Sequence, residues 1–253
     1  MPRYALVLEY DGAAFQGWQR QSNGPSVQQV LEEQAAALNG GEKAVAVAAG
    51  RTDSGVHALG QVAEITLSAA LAPEKLRMAL NFHLRPWPVV VRAAAMAPEG
   101  WSPRFSATQR GYRYRILNRS SRPALDAGRV WHIPYAMDAQ AMHRAAEGLL
   151  GRHDFSAYRA ASCQAASPVR TMEVLRVRRE GDEIIIEAEA RSFLHHQIRN
   201  LAGTLAEVGK GRRPETWPRE VLDSRDRAQA GQTAPPDGLC FMWVRYDTPP
   251  DWV

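Results

Sequence analysis

The order of strand-like and helix-like segments, repeated in outline along the chain, constrains its fold more than any other feature. Residues 2–10 read as a strand. A helix is predicted from Ser26, where Ser26 and Gln29 have the spacing of a capping box and Asn39-Gly40-Gly41 supplies the stop. The apolar run 44–49 and the alternating run 61–67 predict two strands. Residues 73–84 predict a helix with proline in its first turn, and 89–96 a strand. The order β-α-β-β-α-β is the ferredoxin-like, split βαβ arrangement. The second half has a strand at 110–118, a helix opening near Asp138 and running to about Leu150, and strands at 170–179 and 183–190 around a Gly181-Asp182 turn. A helix from about His195 to Val208, a shorter one after Pro214 and a strand at 239–246 complete it. The fold class is therefore α/β (α+β), with two ferredoxin-like halves, residues 1–103 and 104–253, and a boundary within 98–106. No residue-level repeat accompanies the repeated pattern.

Between the strands at 44–49 and 61–67 lies Gly50-Arg51-Thr52-Asp53-Ser54-Gly55-Val56-His57. Strand connectors usually need only turn-forming residues, and an Asp or Ser beside glycine often does no more than bond its own backbone. This one adds Arg51, Asp53 and His57, groups that bind anions, attack or move protons, on the kind of supported loop where function concentrates. A hydrolase triad of Asp53, Ser54 and His57 is a poor reading. The nucleophile elbow is missing, and three members within so few residues do not easily reach triad geometry. His195-His196 suggests a metal, but adjacent histidines on a helix point in different directions and no third ligand has suitable spacing, so no metal site is assigned.

At 253 residues and 45% hydrophobic content, the chain suffices for one large core or two modest ones. No apolar run approaches the length of a bilayer span, and the start (Met1-Pro2-Arg3-Tyr4-Ala5-Leu6-Val7-Leu8) goes straight into a strand pattern without a signal-peptide core. Cys163 and Cys240 are far apart and read as inert thiols. These features lead to the expectation of a cytoplasmic protein. The net charge is +4, yet the basic residues are almost all arginine, suited to phosphate contacts and base stacking. Residues 101–125 hold six arginines (Arg104, Arg110, Arg113, Arg115, Arg119, Arg122) and no acid, interleaved with Trp101, Phe105, Tyr112 and Tyr114. That mixture suits RNA, whose bases can be unstacked. The plainer reading is a solvated surface strand.

Gly50 to Ala58 resembles the catalytic motif of the A-type tRNA pseudouridine synthases, the tRNA pseudouridine(38-40) synthases. Three further segments agree in family order: Tyr10-Asp11-Gly12 to Gly17-Trp18-Gln19-Arg20, Tyr112-Arg113-Tyr114, and Phe193-Leu194-His195-His196-Gln197-Ile198-Arg199-Asn200. The resemblance implies an isomerase acting on uridines 38, 39 and 40 of the tRNA anticodon stem-loop, a homodimer, and two halves joined around a central, mainly antiparallel sheet with a cleft. It implies Asp53 as the nucleophile, Arg199 as the cation that pairs with it, and Tyr112 as the residue that stacks on the uracil and relays a proton. Arg51 would help extrude the base and Leu239 would pack against it. Arg110 and Arg119 are the expected phosphate contacts within the arginine-rich segment. The reaction breaks the N1–C1′ bond, turns the base and rejoins it through C5, so no cofactor is expected, in keeping with the lack of nucleotide-loop, dinucleotide or zinc-helix motifs. Attack at uracil C6 and attack at sugar C1′ both remain open at this stage.

Overall fold

The computed structural model describes residues 1–253, which form two compact units: residues 1–109 with 241–253, and residues 110–240. The first unit opens with β1 (Arg3–Tyr10), α1 (Val27–Ala36), β2 (Ala46–Ala48), β3 (His57–Thr66), α2 (Pro73–His83) and β4 (Val89–Met96). This is the β-α-β-β-α-β order read from the sequence. Strand order runs β4-β1-β3, with β2 also on β3, and the pairs β1–β3, β1–β4 and β2–β3 are antiparallel. The last strand, β10 (Leu239–Tyr246), lies beyond β3; all of it except Leu239 and Cys240 belongs to this unit. The C-terminal stretch 241–253 thus belongs with the N-terminal unit instead of with residues 110–240.

Ser26 caps α1 by accepting from Gln29 N at 3.2 Å, while the Gln29 amide donates to Glu33 instead of closing the capping box. On β1 the residues Tyr4, Leu6, Leu8 and Tyr10 are buried on one face. The other face contributes Ala5 to a cluster with Ala49, Val62, Trp101, Ala107 and Tyr246, so both faces of this strand are covered. Each large apolar side chain buried in this way contributes about 1.5–3 kcal/mol. The outer edge of β4 is closed at Ala94, which exchanges backbone bonds with Val253 at 3.1 and 3.0 Å, a tail used to blunt an exposed sheet edge.

The second unit contains β5 (Ala107–Leu117, from Arg110 onward), β6 (Trp131–His132), α3 (Ala139–Glu147), β7 (Gly151–Asp154), β8 (Val169–Glu180), β9 (Glu183–Ala190), α4 (Gln197–Gly209) and α5 (Trp217–Ser224). Strand order is β5-β9-β8-β7, all antiparallel, with the short β6 parallel to β5. Asp138 caps α3 by accepting from Gln140 and Ala141. The helix α3 packs on β8 and against α4. The α4 helix is buried along nearly its whole length and carries the fully buried Asn200 and Thr204 among its apolar residues.

With ten strands and five α-helices, the mixed α/β class holds. Four expectations need correction, the first being the strand expected over 61–67, which begins earlier, at His57. The helix expected from His195 begins at Gln197, because His196 has φ 62° and acts as its N-cap in a left-handed conformation. The strand expected over 44–49 shortens to Ala46–Ala48, the residues that register with β3. The strands β6 and β7 were not foreseen. No helix is long and apolar enough to cross a membrane. Both cysteines are half-buried thiols.

Candidate active site

In the first unit, two segments singled out in the sequence prove to be one built piece. Residues 10–18 lie against the loop that carries Asp53. Trp18 N donates to Thr52 O at 3.0 Å, and Gly55 N donates to Phe15 O at 3.3 Å. Gly12 N donates to His57 Nδ1, and the Tyr10 and Thr52 hydroxyls are bonded at 2.8 Å. Ser54 Oγ donates to the Gln16 side chain at 3.1 Å. Two glycines make this approach possible. A Cβ on Gly12 would lie 2.1 Å from Val56 O, and one on Gly17, which has φ +85°, would lie 2.6 Å from Thr52 O. Gln61 steadies the other flank by donating to Gly50 O at 2.8 Å.

The loop thus held is closed by a turn in which Val56 N donates to Asp53 O at 3.1 Å. It buries Thr52 and Val56, half-buries Asp53 and exposes Arg51. Behind it, Arg20 completes the N-terminal segment in a structural role. Its guanidinium bonds the buried carboxylate of Glu32 at 3.2 Å, which also accepts from Ala46 N at 3.1 Å. His57 Nδ1 stands 3.1 Å from an Asp11 carboxylate oxygen, so the histidine is tied to the cradle and does not stand as a triad base beside Ser54.

In the second unit, Tyr112 and Tyr114 face Ala188 and Ile186 of β9. Tyr114 is fully buried, and its hydroxyl donates to Pro235 O at 2.7 Å. Burial pushes this phenol well above its ordinary pKa, with the charge of Arg199 pulling the other way, so it stays a neutral donor. Tyr112 is half-buried, with the Phe193 ring edge-on at 5.1 Å. Arg199 sits in the first turn of α4, and its Nε donates to Ala234 O at 2.8 Å. Leu239 is buried at the start of β10, just after Gly238, where an added Cβ would lie 2.8 Å from the Tyr114 ring. His195 and His196 precede the helix, with ring centroids 4.1 Å apart. They are therefore not splayed around a helix.

Arg51 and Asp53 share one loop of the first unit, whereas Arg110, Tyr112, Arg119, Arg199 and Leu239 belong to the second. The arginine-rich segment carries less uncompensated charge than its sequence suggests. Arg115 bonds Glu183 at 2.8 and 2.6 Å and Asp126 at 3.1 Å. Arg119 is exposed and pairs with Asp182 at 3.3 Å, while Arg110 is buried and donates to the carbonyl of Arg191. Glu183 and Asp182 come from β9 and the turn before it, far along the chain, while Asp126 lies just past the arginine-rich window. Sequence reasoning also passed over Arg227 and Thr233, which bond the side chain of Asn200. No local spacing links residues so far apart.

A family model described as tRNA pseudouridine synthase matches residues 6–106 and 145–247. The chain belongs to the tRNA pseudouridine synthase family. Asp53, Arg51, Arg199 and Leu239 fall within the matched segments, and Arg110, Tyr112 and Arg119 lie between them. The chain is 59% identical over 251 residues to "tRNA pseudouridine synthase A" of Acidiphilium cryptum (strain JF-5), covering 99% of this chain and 98% of the relative. The protein of the same name from Rhodospirillum rubrum is 56% identical, covering 97% and 88%. That from Maricaulis maris (strain MCS10) is 48% identical, covering 98% and 100%. The chain is accordingly an isomerase that makes pseudouridine in tRNA.

Proposed function

We propose that this chain converts uridines 38, 39 and 40 of the tRNA anticodon stem-loop to pseudouridine, with Asp53 as the nucleophile. The observation that carries the proposal is the cradle of residues 10–18, whose backbone holds the loop from Thr52 to Gly55 while the Asp53 side chain is left only half-buried. A carboxylate presented on so firmly held a turn has the preorganisation that covalent catalysis needs. Uridine and pseudouridine contain the same atoms. The N1–C1′ bond breaks, a C5–C1′ bond forms, the C5 hydrogen leaves as a proton and N1 gains one. The balance closes without redox chemistry, so the reaction needs neither cofactor nor metal.

In this reading Arg199 keeps Asp53 ionised, because a nearby cation opposes the cost of desolvating a carboxylate. Tyr112 stacks on the uracil and relays the proton, and Leu239 packs against the displaced base. Arg51, exposed beside Asp53, helps draw the uridine out of its stack and holds its phosphate. Arg119 contributes a phosphate contact, and Arg110, being buried, supports the strand on which Tyr112 stands. The working form is a cytoplasmic homodimer that binds one tRNA through both copies, since the anticodon loop and elbow of a tRNA are far apart for a globule of 28.0 kDa. Release of tritium from tRNA labelled at uridine C5 tests the reaction, because only the isomerase displaces that hydrogen. Mapping of the modified positions tests the assignment to 38, 39 and 40, and light scattering tests the dimer.

A further inference from the structure

We infer that Arg227, acting through Thr233 and Asn200, is a positioning residue that aims the guanidinium of Arg199. The inference rests on the reading of Arg199 as the partner of Asp53. The segment 231–234 crosses α4 as a strap at very close range. A Cβ on Gly203 would lie 1.8 Å from Gln232 O, and one on Gly231 would lie 2.8 Å from Gly203 O, so the absence of both side chains lets the strap seat. At its far end, Arg199 and Ala234 hold each other reciprocally. Ala234 N donates to Arg199 O at 3.1 Å, and Arg199 Nε donates to Ala234 O at 2.8 Å. A guanidinium held through Nε is restricted in its plane, and with it the direction in which its two Nη groups point. What fixes Ala234 therefore helps to fix the aim of Arg199.

Arg227 supplies that fixation. Its Nη1 donates to Gly231 O at 2.9 Å, while Nη2 donates to Thr233 Oγ1 at 3.0 Å and to Asn200 Oδ1 at 3.1 Å. The Thr233 hydroxyl donates in turn to Asn200 Oδ1 at 2.7 Å, so one planar fork ties the strap to the helix residue next to Arg199. Asn200 is itself locked, since its Nδ2 donates to Tyr158 O at 2.9 Å. The near end of the strap is held where Gly231 N donates to Thr204 Oγ1 at 3.0 Å. A lysine at 227 keeps the charge but lacks the planar fork that reaches these acceptors together.

The test is a double-mutant cycle. Arg227→Lys and Thr233→Val are each made alone and combined with Arg199→Lys. Single-turnover pseudouridine formation, tRNA affinity and melting temperature are measured for every variant. Arg227→Lys in the otherwise native chain should slow the single-turnover rate roughly ten- to hundredfold, the cost of a small misplacement of a catalytic group. Affinity for tRNA should stay nearly unchanged. Thr233→Val should act in the same direction with a smaller loss, and it carries the test if Arg227→Lys does not fold. With Lys at 199, neither substitution should slow the reaction much further, because the group they aim is gone. A full, multiplicative loss in that background, or an unchanged rate in a folded variant, would overturn the positioning role. An Arg199→Lys chain that turns over at the native rate would instead remove the reading of Arg199 itself.

Discussion

The Asp53 loop and the helix that carries Arg199 are held in place with different emphasis, the first on backbone bonds and the second on side chains. The main chain of the loop is held by backbone bonds, Trp18 to Thr52, Gly55 to Phe15 and a turn between Val56 and Asp53, to which the side chains of Tyr10, Gln16, His57 and Gln61 add. The Arg199 helix is fastened by side chains, with Asn200, Thr204, Arg227 and Thr233 forming one buried or half-buried network. Backbone bonds survive most substitutions, whereas a side-chain network fails when one member is removed. The first region should therefore be most sensitive where glycine permits close approach, and the second wherever a polar partner is lost.

The largest stability effect should come from Asn200→Ala. It removes the acceptor shared by Arg227 and Thr233 inside the protein, and a cost of about 3 kcal/mol is expected from leaving buried polar groups unpaired. Denaturant unfolding checks the value. Gly17→Ala should follow at about 2 kcal/mol, since φ +85° and the nearby Thr52 carbonyl both resist a side chain. Its melting temperature should fall, and its pseudouridine yield should fall further than the loss of folded protein explains. Thr52→Val removes the hydroxyl bonded to Tyr10 and should cost only about 1 kcal/mol, because the backbone bonds remain. If Thr52→Val proved as costly as Asn200→Ala in the same titration, the contrast between the two regions would be wrong. Arg119→Ala should be the mildest, at under about 0.5 kcal/mol for an exposed ion pair. Its effect should appear in tRNA binding instead, where the slope of log affinity against log salt should flatten by about 1.

The same contrast explains what could be read from the sequence. Strands whose alternation or burial is complete, such as β4 and β9, are found at the boundaries expected from the residues alone. The short β7, with its polar Arg152, His153 and Asp154, carries no period and is defined by its pairing with β8. The Asp53 cradle was half legible: the resemblance marked both residues 10–20 and residues 50–58, but not that one supports the other. Gly12 and Gly17 were the available signal, since two glycines in a short segment often mark close backbone approach. The network around Asn200 was invisible because Arg227 and Thr233 reach it across an intervening helix and turn, and no local period encodes such a contact. His195 and His196 misled for a related reason. A positive φ at a non-glycine residue is an outcome of tertiary packing, so the helix start was set two residues early.

The proposed attack by Asp53 is open to direct test. Asp53→Asn keeps the size of the side chain and the backbone bonds of the turn, and asparagine adopts most turn conformations that aspartate does. The decisive measurement is tritium release from uridine C5 of tRNA by purified Asp53→Asn protein, cleared of host enzyme, with melting temperature and tRNA affinity recorded on the same preparation. The expected result is a folded protein that melts near the native temperature, binds tRNA at least as tightly, and releases tritium slower by many orders of magnitude. Substantial tritium release by that folded variant would contradict it.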